Sequence, residues 1–400
     1  MFLESVPSDQ VAMLQVLAPG ERVLWMRLLP LDDAADLVQA APEEERTALL
    51  ALLDDAARRE VTALMAYSED VAGGLMNPRF LRLRPELTVE ETISYLRKQR
   101  PDIRLPIHYG YVLDETQRLL GVVPLLTLFS SPAERTARDV MTTDPIVVAD
   151  DTDQELVGRL FREHGLFAVP VLDSAGRMKG IVTVDDIVDV LDEEATEDMQ
   201  KVGGVAALDA PYLKATFKTM LGRRGGWLTI LFLGEMLTAT AMGWYEEQLA
   251  TAIVLALFVP LIISSGGNAG SQATTLVIRA MALGEVTTRD WWNVIRREFA
   301  VGLALGLLLA VIGALRILLW HALFGSYGPH YAFIAMTVSL SLTGVVLWGT
   351  LAGSTLPFIL RLFKLDPASA SAPFVATLVD VTGLIIYFTV AGIVLRGTLL

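Results

Sequence analysis

Five long apolar runs in the second half of the chain constrain its fold more than any other feature. They lie at about 227–244, 251–279, 299–320, 331–360 and 370–395, and about 20 apolar residues suffice to cross the hydrocarbon of a bilayer. Backbone in lipid must satisfy its own N–H and C=O groups, so runs of this length predict five transmembrane helices. An odd number of spans puts the two ends of the chain on opposite sides.

Charge divides at about residue 210. Up to that point there are 38 acidic and 20 basic residues; beyond it there are 8 and 12. An acidic excess of this size repels itself unless cations or solvent neutralise it. Lys214, Lys218, Arg223 and Arg224 precede the first run, Arg279, Arg289, Arg296 and Arg297 lie between the second and third, and Arg361 and Lys364 between the fourth and fifth. The intervening loops, 243–250 and 321–330, carry no Lys or Arg. This alternation predicts a cytoplasmic acidic half and a C-terminus outside. The first ten residues hold Glu4 and Asp9 and no basic residue, so no signal peptide is expected. The charged, aromatic segment Thr288–Glu298 is expected to lie along the inner interface.

Several function classes fall away. There is no cysteine, and none of His108, His164, His321 and His330 makes an H-E-x-x-H pair, which excludes thiolate metal sites and that class of zinc hydrolase. The formal charge of −14 argues against a nucleic-acid partner. No phosphate-binding G-x-x-x-x-G-K-[ST] loop occurs. The chain reads as a non-enzyme.

Two spans carry unusual chemistry. The second passes from apolar residues into Ser264-Ser265-Gly266-Gly267-Asn268-Ala269-Gly270-Ser271-Gln272. Such a stretch either lines a cavity, where irregular or polar backbone is tolerated, or packs helices closely through small residues. The fifth holds one ionisable residue, Asp380, deep in the run, with Pro373, Ala376, Thr377 and Gly383 on the same side at helical spacing. A thin face with one carboxylate suits a water-filled cation path. Glu235, in the first span, is the other deep acid.

The acidic half contains a duplication. Val112–Val123 and Val171–Val182 match at an offset of 59 with six of twelve positions identical. Each reads strand, polar turn, strand. A helical stretch precedes each, Val89–Arg100 and Asp153–His164, and each unit opens on a methionine segment, Gly74–Pro78 and Asp139–Thr143. This repeat resembles a pair of cystathionine β-synthase-type (CBS) domains, which implies a regulatory module for adenine nucleotides or ions. Gly180–Asp186 is similar to the ribose-contacting pattern of that family, implying Thr183 and Asp186 at a single ATP site; the first unit has Val122-Val123-Pro124-Leu125 there. Upstream, residues 8–67 read as short helices, with Asp32, Asp33 and Glu43–Glu45 near helix starts, where acids suit the dipole. Downstream lie the dense acids Asp192–Asp198, which could bind hard divalent cations through oxygen or simply form a solvated helix end. A connecting helix is expected over Ala210–Arg224.

Four segments resemble the MgtE family of magnesium channels: Tyr67–Met76, Glu193–Asp198, Pro260–Gln272, and Asp366-Pro367-Ala368 through Asp380–Leu384. The resemblance implies an all-α N-terminal domain at 1–67, short for the family, CBS domains at 68–137 and 138–200, a connecting plug-type helix at 201–225 and a five-span domain at 226–400. It implies a homodimeric Mg²⁺ channel of the bacterial cytoplasmic membrane. The pore would be lined by the second and fifth spans, with Asp380 as its carboxylate, Ala376, Gly383 and Asn268 beside it, and Pro260, Gly266, Gly267, Gly270 and Gln272 as its signature. It also implies closure by cytosolic Mg²⁺ held at Asp186, Glu194, Glu197, Asp198 and Asp366. Rival readings are a CBS-regulated transporter of Co²⁺, Mn²⁺, Ca²⁺ or an anion, a membrane sensor without transport, and an intramembrane protease. Asp380 argues against an anion path, and an aspartyl protease needs two acids sharing a proton.

Overall fold

Proline and capping side chains begin most helices of the N-terminal segment. Pro7 and Pro19 stand in the first turns of α1 (Pro7–Val16) and α2 (Pro19–Leu28), where a missing N–H costs nothing. Pro30 and Pro42 precede α3 (Leu31–Ala40) and α4 (Glu43–Leu50). Asp54 caps α5 (Asp55–Leu64), accepting from the N–H groups of Ala56 and Ala57. The computed structural model describes residues 2–3, 5–98, 108–208 and 212–399. The chain divides into two compact units, Met1–Glu194 and Ala195–Leu400.

In the first unit the duplication becomes two three-stranded sheets. The first orders β1 (Leu81–Leu83), β2 (Tyr109–Leu113) and β3 (Leu119–Pro124); the second orders β4 (Val148–Ala149), β5 (Ala168–Leu172) and β6 (Met178–Thr183). In each, the outer pair is parallel and the hairpin antiparallel. The offset of 59 survives at the level of single atoms. The register shifts between Val112 and Leu113 and again between Val171 and Leu172. Asp114 and Asp173 each accept two backbone N–H bonds from their own turns. Gln117 and Gly176 both take left-handed backbone.

Helices α6 (Ala72–Leu75), α7 (Val89–Lys98), α8 (Leu125–Ser130), α9 (Ala137–Val140) and α10 (Gln154–His164) flank the sheets. The expected helix Val89–Arg100 is thus α7, its last two residues lying outside those described. The two methionine segments cross over: Asn77 bridges Ile181 of the second repeat, while Thr142 bridges Val122 of the first. One buried apolar cluster joins α1–α5 to the second sheet, from Leu14, Met26, Leu37 and Val61 to Val157, Val169, Val182 and Ile187. The N-terminal helices and the second repeat therefore share a core.

The chain passes into the second unit within α11 (Val184–Val202). Five helices there are long and apolar enough to cross a membrane. They contain α12 (Phe217–Trp244), α14 (Val259–Ala282), α15 (Trp291–Phe324), α16 (Tyr331–Leu362) and α17 (Ala372–Val394), with the short α13 (Glu246–Thr251) between the first two. Half of the most apolar window of α16 is buried against 11% of that of α12, so α16 is central and α12 peripheral. Leu307, Leu308 and Val311 on α15 are exposed, as lipid-facing surfaces require.

Three expectations are revised. Phe217–Arg224, the described end of the expected connecting helix, is the first part of α12; residues 212–216 are not helical, and 209–211 lie outside the described residues. Trp291–Glu298, from the segment expected along the inner interface, is continuous with the third span: α15 runs for 34 residues, about 50 Å at the α-helical rise. The backbone of Ser264–Gln272 is regular helix; the irregularity comes earlier, as a 3₁₀ turn at Ile253–Leu257.

Candidate functional site

The glycines of α14 are consumed by close helix packing. A Cβ on Gly270 would lie 2.9 Å from the Gly349 carbonyl oxygen and 2.8 Å from Val375. Gly266 presses on Val345 and Val379, and Gly349 and Gly353 of α16 meet the carbonyls of Gly266 and Gly270. Thr274 seals the seam by donating to the Gly353 carbonyl at 2.6 Å. The packing alternative therefore explains Gly266 and Gly270.

Gly267 has a different neighbour. A Cβ there would stand 3.4 Å from Ala376 Cβ and 3.7 Å from Asp380 Oδ1, ordinary contact distances, so at this position α14 faces the Ala376–Asp380 turn of α17 without being pressed onto it. Of the other expected site residues, Asn268 and Gln272 are exposed, and Asn268 Nδ2 donates weakly to Ser264 Oγ at 3.4 Å. Ser264, Asn268 and Gln272 recur every four residues, forming a polar stripe on a face this chain leaves uncovered. Pro260 opens α14. Gly383 is buried against Val345 and so is turned from the exposed side. Asp380 is half-buried, and its charged neighbour is the Glu235 carboxyl of α12. Its partner is thus another acid, not a base.

The expected gating acids fall in separate places. Glu197 and Asp366 meet at Lys201, whose ammonium lies 2.7 Å from Asp366 Oδ2 and also pairs with Glu197. Burial pulls the Lys201 pKa down, but these bonds and charges outweigh it and leave it raised. Glu194 accepts from Gln154 Nε2 at 2.6 Å, and Asp198 is half-buried on α11. Asp186, near the start of α11, accepts from Thr183 Oγ1 at 2.6 Å. Among the described residues, no three acids or histidines converge on a ready-made metal site.

Asp186 instead meets acids that the sequence reading treated only as helix-start charges. Asp32 is buried on α3, and burial, Asp186 and Asp33 all push its pKa well up. Burial raises Asp33 to about 6, helped by Asp185 and Asp189. Burial raises Asp36 to about 7, with Glu69, Asp33, Asp186 and Glu193 adding to it. Asp186 is raised to about 7 by burial, against the Thr183 hydrogen bond and with the repulsion of Asp185. Carboxylates that repel one another in this way attract a hard divalent cation, though among the described residues no three of them converge within ligating reach. The legible signal was Asp32 on the buried, apolar face of α3, with the half-buried Asp36 one turn further on.

Thr183 and Asp186 are bonded to each other and do not line the cleft between the repeats. That cleft, about 290 Å³, is walled by His108, Tyr109, Pro124, Leu125, Leu126 and Phe167. His108 and Phe167 are equivalent positions at the offset of 59, and their rings stack at 5.0 Å.

A helical domain, a CBS-type pair and five helices long and apolar enough to cross a membrane define a multi-pass, CBS-bearing membrane protein of the cation-transporter class. Family models agree along the chain: an MgtE intracellular N domain at residues 1–70, CBS domains at 70–133 and 137–193, and a divalent cation transporter domain of MgtE type at 259–390. The chain is 41% identical over 370 residues to the magnesium transporter MgtE of Thermus thermophilus, covering 92% of this chain and 80% of that one. It is 31% identical over 385 residues to the magnesium transporter MgtE of Bacillus subtilis, covering 96% and 82%. Among solved structures it resembles the cytosolic domain of the Mg²⁺ channel MgtE in complex with ATP, with 40% identity, a TM-score of 0.46, and coverage of 47% of this chain and 77% of that one. The chain belongs to the MgtE family.

Proposed function

We propose that this protein conducts Mg²⁺ through the bacterial cytoplasmic membrane as a homodimer, and that cytosolic Mg²⁺ closes it. The observation that carries the reading is Asp380, an acid midway along a membrane helix, facing Gly267 of α14, with Glu235 and no base beside it among the described residues. Intramembrane acids are costly and mark ion paths. Mg²⁺ dehydrates reluctantly and keeps several waters. Two Asp380 carboxylates related by a two-fold axis balance one hydrated Mg²⁺ through its water shell, whereas a monovalent ion gains less Coulomb energy at the same distance. The exposed Ser264–Asn268–Gln272 stripe supplies hydrogen bonds to that shell. The membrane potential drives entry with about 2.3 kcal/mol per charge per 100 mV, twice that for a divalent ion.

Closure follows from linkage. A cation that binds a compact arrangement better than a relaxed one shifts the population toward the compact one. Asp32, Asp33, Asp36 and Asp186 repel one another within the first unit, and Mg²⁺ relieves that repulsion. Within the second unit, Glu197 and Asp366, which meet at Lys201 with Asp198 near them on α11, offer a further acidic group for the ion. ATP occupies the aromatic cleft of the CBS pair, its base against His108 and Phe167. The Lys/Arg pattern of the loops keeps the acidic unit in the cytosol and the C-terminus outside.

Flux into proteoliposomes tests the reading. Wild type is expected to take up Mg²⁺ in preference to Ca²⁺, and Asp380→Ala to lose uptake while still folding. Unchanged flux in that variant would remove Asp380 from the pore.

A further inference from the structure

The first span carries a carboxylate that the two-helix pore leaves without a role. Helices α12 and α17 pack in parallel register. Trp227 Nε1 donates to Ser371 Oγ at 3.1 Å, a Cβ on Gly234 would lie 2.9 Å from Thr377 Cγ2, and the Tyr245 and Phe388 rings stack at 4.8 Å. This register sets Glu235 near the depth of Asp380, and the Glu235 carboxyl is the charged group that acts on Asp380. Glu235 is exposed on the surface of its own chain. A carboxylate at that depth facing hydrocarbon is costly, and such groups face a bundle interior or a water-filled path instead.

A second observation points the same way. Thr229 and Thr240 of α12 return their hydroxyls to the carbonyls of Gly225 and Met236, four residues back. Thr238 does not: it is 8% exposed, and its Oγ1 has no hydrogen-bond partner among the described residues. It stands three residues beyond Glu235, on the same helix face. A buried hydroxyl without a protein partner is satisfied by water or an ion's hydration shell.

We propose that Glu235 is a specificity-determining residue of the ion path, placing a second carboxylate per subunit beside Asp380 so that α12 as well as α17 meets the hydrated ion. The proposal rests on reading Asp380 as the pore carboxylate. Two neighbouring acids repel unless a cation or a proton lies between them. Adding negative charge to the site favours a divalent over a monovalent ion in proportion to the ionic charges. Thr238 then bonds the water shell one turn along.

The test is flux of Mg²⁺ and of K⁺ through the full chain in proteoliposomes, with Mg²⁺ low on the cytosolic side. Asp380→Asn is expected to lose Mg²⁺ flux. Glu235→Gln keeps the shape and is expected to lower the Mg²⁺-to-K⁺ ratio about tenfold or more, with Glu235→Asp restoring most of it. If Asp380→Asn loses flux while Glu235→Gln leaves the ratio unchanged, Glu235 is only a packing partner and the pore reading stands alone. If Asp380→Asn conducts like wild type, both fall. Should Glu235→Gln melt early, Thr238→Val carries the test with both acids in place: a lowered ratio supports the proposal and an unchanged one overturns it.

Discussion

The ammonium of Lys201, in the last turn of α11, lies 2.7 Å from the carboxylate of Asp366, which caps the short turn leading into α17. Glu197, one helical turn back, holds the same ammonium. A tethered single positive charge thus sits between two acids proposed to bind regulatory Mg²⁺, and any divalent ion there must displace it. Lys201→Gln is expected to lower the Mg²⁺ concentration that half-inhibits flux by roughly three- to tenfold, since each unit of charge removed from a competing cation acts directly on affinity. Inhibition curves from patch recordings measure this; a curve shifted to higher Mg²⁺ would show that Lys201 assists closure rather than competing with the ion.

The raised acids of the first unit set its pH dependence. Asp33 stands at about 6, and Asp36 and Asp186 at about 7, against 3.8 for the ordinary group. Between those limits the folded state binds more protons than the unfolded chain, so stability falls as pH rises through the window. Below it the folded carboxyls are neutral and the penalty vanishes. Thermal unfolding of the full chain in detergent without divalent ions is expected to show a lower midpoint at about pH 8 than at about pH 5.5, and a larger Mg²⁺-induced rise at the higher pH. A Mg²⁺ effect larger at acid pH would contradict the cluster as a cation site.

The seam between α14 and α16 has no room for a methyl group. Gly353 faces the Gly270 carbonyl and Thr274 Oγ1 directly, and backbone cannot yield as a flexible side chain does. Gly353→Ala is expected to destabilise the membrane unit by roughly 1–3 kcal/mol, the usual range for overpacking, and toward its upper end because backbone is what it meets. Gly243→Ala, with nothing within 4 Å of the added carbon, serves as the neutral comparison. Melting of the two variants side by side measures the difference.

Local patterns were the legible part of this fold. The offset of 59 was readable because a strand, an Asp-led turn and a second strand carry their hydrogen bonds within a dozen residues, and Asp114 and Asp173 make the same ones. The five spans and Asp380 were readable because lipid imposes length and polarity directly. Pairings across large separations were not: Lys201 meets Asp366 over 165 residues, and no local signal marks that meeting. Asp32 was read from its helix-start position, whereas its burial comes from the core that α3 shares with the second repeat. The glycines of α14 admitted two readings because a helix seam and a pore lining both ask for small residues. Only their neighbours separate Gly270, packed on Gly349, from Gly267, set against Asp380.

The cleft between the repeats gives the last prediction. Thr183 matched a ribose-contacting pattern, yet its hydroxyl is spent on Asp186 at 2.6 Å, while the rings of His108 and Phe167 wall a cleft of about 290 Å³. Stacking a base on an aromatic ring contributes about 1–3 kcal/mol by alanine substitution. Phe167→Ala is therefore expected to weaken ATP binding to the full chain by about tenfold or more, and Thr183→Ala to change it by less than about twofold, since an internal hydrogen bond rather than a ligand contact is lost. Equilibrium titration with ATP, with GTP as a comparison, reads both. The reverse order of effects would move the nucleotide from the aromatic cleft to the start of α11, where it would have to share space with Asp32 and Asp33, and ATP phosphates beside those carboxylates would need Mg²⁺ between them.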